Sequence, residues 1–99
     1  MEKQITIDEN RILIKLNGRM YLEDSVILRQ ELLGYLDEKY NKCIVDMSAV
    51  NYIDASGIGT LVALRNQSHC LGGSLKVAGL KGIVKELFKI TRFEESFTE

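Results

Sequence analysis

Apolar and polar residues alternate from Gln4 to Ile7 and again from Arg11 to Leu16, with Ile5 and Ile7 in the first stretch and Ile12, Ile14 and Leu16 in the second. A period of two places these side chains on one face of an extended chain, so both stretches are expected to be strands. Asp8-Glu9-Asn10 between them is turn chemistry, which predicts an antiparallel hairpin, and Asn17-Gly18 is expected to end the second strand. The period then lengthens. Leu28, Leu32, Leu33 and Leu36 recur at helical spacing, with Arg29, Glu31, Asp37 and Lys39 on the outside. Asp24 or Ser25 is placed to cap this helix. Gly34 inside it costs about 1 kcal/mol relative to Ala, a cost that close approach to a sheet would explain.

Cys43 to Met47 is nearly all apolar, the pattern of a central strand covered on both faces. A second helix is predicted from about Ser56 to His69. Its first half, Ile58 to Leu64, is apolar almost all round, and Leu71-Gly72-Gly73 supplies its stop. Leu75 to Ala78 reads as a further strand. Gly79-Leu80-Lys81-Gly82 then turns into a third helix with Ile83, Val84, Leu87 and Phe88 on one stripe. The last residues, Thr91 to Glu99, carry Phe93 and Phe97 but are too few to show a period. Strands and helices that alternate after a hairpin imply parallel pairing with right-handed crossovers. The expected fold is therefore α/β: a mixed sheet, an antiparallel N-terminal hairpin plus parallel strands, packed with helices in one domain over 1–99.

Composition narrows the function. The 99 residues carry a net charge of −1. There is no basic excess to neutralise phosphates, so nucleic acid is not an expected partner. No apolar run approaches the roughly 20 residues that span a bilayer, and no secretory signal opens the chain. A cytoplasmic protein is expected, with Cys43 and Cys70 as reduced thiols and no metal.

Several chemistries lack a required residue. A phosphate-binding loop needs Gly-Lys-Ser/Thr after a glycine frame, and none occurs. Gly57-Ile58-Gly59 starts like a dinucleotide fingerprint, but the third glycine and the later acidic residue are replaced by Val62 and Val77. A nucleophile elbow around Ser56 would need glycine where Asp54 stands. The single histidine, His69, lies about 20 Å along the helix from Ser56 at 1.5 Å per residue, and its simpler use is as a charge at a helix C-terminus. Asp46 ends a strand as a receiver-domain phosphoacceptor does, but the acidic pair that would hold magnesium is not in place; it is expected to brace the following backbone. No enzyme and no cofactor are expected.

The turn Val50-Asn51-Tyr52-Ile53-Asp54-Ala55-Ser56-Gly57 is the most informative segment. It joins a strand to an apolar helix, and a helix start offers free N–H groups and partial positive charge. Asp54 suits a capping or turn-bracing role, and Ser56 suits either a cap or an accessible hydroxyl.

These residues carry a resemblance. Asp46-Met47-Ser48, Val50 and Asp54-x-Ser56-Gly57-Ile58-Gly59-x-Leu61 resemble the signature of STAS domains, specifically of bacterial anti-sigma-factor antagonists. Asn17-Gly18-Arg19-Met20, Gly72-Gly73-Ser74-Leu75-Lys76-Val77 and Leu87-Phe88-Lys89-Ile90-Thr91-Arg92-Phe93-Glu94 resemble flanking pieces of the same family, in the same order. The resemblance implies partner switching. The unmodified antagonist binds an anti-sigma factor that is also a serine kinase; the kinase phosphorylates the signature serine, here Ser56; a PP2C-type phosphatase resets it. The implied partner surface is Asp54, Ala55, Ser56, Gly57 and Thr60 with Tyr21 beside it, while Ile58 and Leu61 belong to the core. Two departures stand out. Tyr21 occupies a place where the family often has aspartate, and the family's final helix is expected to be missing or shortened. The alternative the resemblance leaves open is a STAS scaffold without a phosphoswitch, in a lipid-trafficking or stress-sensing complex. Oligomeric state is left open.

Overall fold

Residues 1–91 are described by a computed structural model. The two alternating stretches form β1 (Glu2–Asp8) and β2 (Arg11–Met20), paired antiparallel with Asp8 opposite Arg11. The hairpin loop is Glu9-Asn10, and Glu9 takes φ +57°. Four elements follow β2 in alternation: α1 (Leu22–Tyr35), β3 (Lys42–Ile53), α2 (Ala55–Cys70) and β4 (Ser74–Ala78). α3 (Gly82–Thr91) comes last. Among the described residues the sheet order is β1-β2-β3-β4, with β2, β3 and β4 parallel. The mixed sheet with an antiparallel hairpin and parallel strands is the expected architecture. Phe93 and Phe97 lie outside the described residues.

Ile12, Ile14 and Leu16 of β2 and Cys43, Val45 and Met47 of β3 point into one core, where they meet Leu28, Leu32, Leu61, Leu64, Val84 and Phe88 from the three helices. Burial of each such side chain contributes about 1.5–3 kcal/mol.

Both central strands run further than their apolar runs. Asn17-Gly18 does not break β2. Gly18 takes φ +103°, and the ladder to β3 shifts register on either side of it. The pair is an irregularity within a strand that continues to Met20, because glycine can take the left-handed conformation and let the ladder resume. β3 likewise passes Met47 and ends at Ile53, opposite Met20. Its second face is not fully covered: Ile44, Asp46 and Ser48 are half-buried.

α1 also differs from expectation. Its buried positions are Ser25, Leu28 and Leu32, while Leu33 is exposed. Gly34 is exposed and a Cβ there would meet nothing within 4 Å, so no sheet approaches it. Of the α3 stripe, Val84 and Phe88 are fully buried and Ile83 is exposed. The close approach in this fold is at Gly73 instead, where a Cβ would fall 1.9 Å from the carbonyl oxygen of Asn41.

Candidate functional site

β2 and β3 end side by side, and the chain turns into a helix after each. Asp54 N–H donates to the Met20 carbonyl at 3.3 Å, which ties the two turns together. The starts of α1 and α2 therefore share one edge of the sheet, at the carboxyl ends of parallel strands, where α/β folds place their sites.

Asp54 is the N-cap of α2, with extended backbone at φ −99° and ψ 180°. Its Oδ1 accepts the Gly57 N–H at 3.1 Å and also the Ser56 hydroxyl. Donation by Ser56 is the main reason the Asp54 carboxyl lies below the usual carboxylate range; the amide donors act the same way, against the opposing effect of partial burial. Ser56 sits at the second helical position, is half-buried and lines the groove between α1 and α2.

α1 begins in the same manner. Tyr21 is its N-cap residue, and its N–H donates to Asp24 Oδ2 at 3.0 Å. The expected cap at Asp24 or Ser25 is thus displaced: Asp24 is the third helical residue, reaching back as in a capping box. Its other oxygen is 3.5 Å from the Met1 amino group. Ser25, 1% exposed, donates to the Tyr21 carbonyl at 3.0 Å and lies 3.5 Å from Ser56 Oγ.

Aromatic and apolar surface surrounds these polar groups. Tyr21 and Tyr52 are 46% and 37% exposed, with ring centroids 5.4 Å apart and planes tilted by 42°. On one side of Asp54 an apolar groove of about 450 Å³ is lined by Tyr52, Ala55, Ile58, Gly59, Ile83 and Leu87. On the other, a groove of about 620 Å³ runs between α1 and α2 past Leu22, Val26, Arg29, Leu33, Ser56 and Thr60.

The structure brings Tyr21, Asp54, Ala55 and Ser56 to one surface and leaves Gly57 and Thr60 little exposed beside them. Gly57 is buried, and a Cβ on it would come within 2.5 Å of Ile53 Cγ1 and 3.3 Å of Met20 Sδ. Thr60, only 9% exposed, faces the base of the α1–α2 groove. Ile58 and Leu61 are buried, as expected. Ser25 and Tyr52 were missed from the sequence. Ser25 reads there as a capping candidate, and Tyr52 stands beyond the apolar run of its strand.

Other candidates take structural places. Asp46 Oδ1 accepts the Ser48 N–H at 2.9 Å. Its carboxyl lies below the ordinary range chiefly through the Ser48 side chain. Cys43 and Cys70 are both free thiols, and burial pushes the Cys43 thiol up. Among the described residues no group of three His, Cys, Asp or Glu side chains is placed to hold a metal ion, and no helix is long and apolar enough to cross a membrane.

Residues 2–99 match the family model described as the STAS domain. The anti-sigma-B factor antagonist of Bacillus subtilis is 28% identical over 88 residues, covering 89% of this chain and 80% of that protein. The fold is similar to that of TM1081 from Thermotoga maritima, with a TM-score of 0.87 at 18% identity over 97% of this chain and 83% of that one. It also resembles the anti-sigma factor antagonist SpoIIAA in its unphosphorylated form, with a TM-score of 0.73 at 14% identity over 90% and 83% of the two chains. Phosphorylated SpoIIAA of Bacillus gives 0.74 at 11% identity over 99% and 89%.

Proposed function

Because this chain belongs to the STAS domain family, we propose that it acts as an anti-sigma-factor antagonist whose hold on its partner is switched by phosphorylation of Ser56. The observation that carries this reading is the position of Ser56: half-buried in the wall of a surface groove, at the start of α2, beside exposed Tyr21, Ala55 and Tyr52. Unmodified, this surface docks on an anti-sigma factor that is also a serine kinase, and docking frees the sigma factor. Transfer of phosphate to Ser56 then adds about −1.5 to −2 charges at pH 7. A partner that buries the surface must bury that charge, which costs several kcal/mol when it is unpaired, and each 1.4 kcal/mol is tenfold in affinity. A PP2C-type phosphatase restores the serine, and the cycle runs in the cytoplasm. No catalytic role is assigned to this chain.

That the STAS fold tolerates such a charge is supported by SpoIIAA, whose unphosphorylated and phosphorylated forms are about equally similar to this chain. Incubation with the anti-sigma serine kinase and ATP, followed by mass spectrometry, tests the reading: one phosphate on Ser56 is expected. Absence of phosphate there, with binding intact, replaces the switch by a constant-binding scaffold on the same surface.

A further inference from the structure

A hydroxyl has one proton to give, and at this site the two serines share a small set of acceptors. Ser56 donates to Asp54 Oδ1, and Ser25 donates to the Tyr21 carbonyl. The two serine oxygens face each other at 3.5 Å, a hydrogen bond that either hydroxyl can donate. Asp54 Oδ1 collects two donors, the Ser56 hydroxyl and the Gly57 amide. An ionised carboxylate is an acceptor only, so its fit to Ser56 lasts as long as Ser56 has a proton to offer.

We propose that Asp54 is a positioning residue with opposite effects in the two states of the switch: it holds the Ser56 hydroxyl before phosphorylation and opposes full ionisation of the phosphoserine afterwards. The proposal rests on Ser56 being the modified residue. Phosphoryl transfer from a nucleoside triphosphate forms an Oγ–P bond, breaks the bond to the departing nucleoside diphosphate and releases the hydroxyl proton to solvent. Asp54 then loses one of its two donors, keeps the Gly57 N–H and faces a second anion. A neighbouring like charge disfavours the more charged form, so the second phosphate proton is held to higher pH. One charge at about 5 Å in high dielectric moves that ionisation by about half a pH unit.

Other charges belong to the neighbouring elements. Arg29 lines the same groove as Ser56, Glu23 and Asp24 occupy the first turn of α1, and the Met1 amino group pairs with Asp24. All four are unchanged by a substitution at position 54. Asp54→Asn keeps an oxygen that can cap Gly57 and removes only the charge.

The test uses phosphoserine genetically encoded at position 56, in the wild-type and Asp54→Asn backgrounds, with no kinase present. The ³¹P resonance is followed from pH 4 to 9. The midpoint is expected about half a pH unit lower in Asp54→Asn; an unchanged or higher midpoint overturns the proposal. Should the phosphorylated wild type not fold, folding of the phosphorylated Asp54→Asn protein supports the proposal, and failure of both overturns it. A kinase that ignores Ser56 would remove the switch reading without touching this result, so the two failures are told apart.

Discussion

Two glycines in the first turns of α2 have opposite reasons to be glycine. At Gly57 a Cβ would press on Ile53 and Met20, both fully buried. Gly57→Ala is expected to lose about 1–3 kcal/mol, the usual penalty for overpacking a core. At Gly59 the same Cβ meets nothing within 4 Å, and Gly59→Ala is expected to gain about 0.5–1 kcal/mol from helix propensity. Urea denaturation of the pair reads both signs. The sequence shows two glycines at one spacing and cannot separate them, because the difference lies in what stands opposite.

Asp54 was legible as a cap from spacing alone. Asp54→Ala is expected to cost about 1 kcal/mol in a thermal melt at pH 7. Its pH dependence follows from the lowered carboxyl. A group whose native value lies below its unfolded value, near ~3.9, stabilises fully above that range. The contribution fades as pH falls through the native value. Stability measured by urea from pH 6 to pH 3 should therefore drop, and drop less in Asp54→Asn. Asp46, also lowered, remains in both proteins.

At the scale of elements, every strand and helix assigned from periodicity is present within residues 1–91. The ends moved, because periodicity records which side chains are covered and not where backbone pairing stops. β3 continues six residues past Met47 since β2, bent at Gly18, continues alongside it. α1 shows the same limit from the other side. Leu33 and Gly34 fit a helical stripe by spacing, yet the covered face is Ser25, Leu28 and Leu32. Gly34→Ala, in the last turn and open to solvent, is expected to stabilise the fold by about 0.5 kcal/mol, seen as a higher urea midpoint with unchanged slope.

For the whole molecule, the parallel pairing of β2 with β3 is what assembles the candidate surface. Met20 lies opposite Ile53, so the residues that follow, Tyr21 and Asp54, become neighbours although 33 positions separate them. Tyr52 joins them across the turn, its ring tilted against that of Tyr21. Paired, exposed aromatic rings beside an apolar groove suit an anchor for a protein partner. If the proposed partner is the anti-sigma kinase, Tyr52→Ala is expected to weaken its binding about tenfold in isothermal titration with little change in melting temperature, whereas Tyr52→Phe should bind nearly as wild type. Ser56→Asp should weaken binding by at least as much as Tyr52→Ala.

What the sequence by itself determined is the order and kind of the elements, the sheet class, the family signature and the capping role of Asp54. Each of these is local: a period of two or of 3.6, a turn, or a spacing of two residues along one chain. The tertiary structure alone decided which signature residues face outward, that Gly57 and Thr60 are little exposed, and that Tyr52 lies beside Tyr21 and Ser25 beside Ser56. Those depend on strand register and helix rotation, which are set when distant segments bury their apolar faces together.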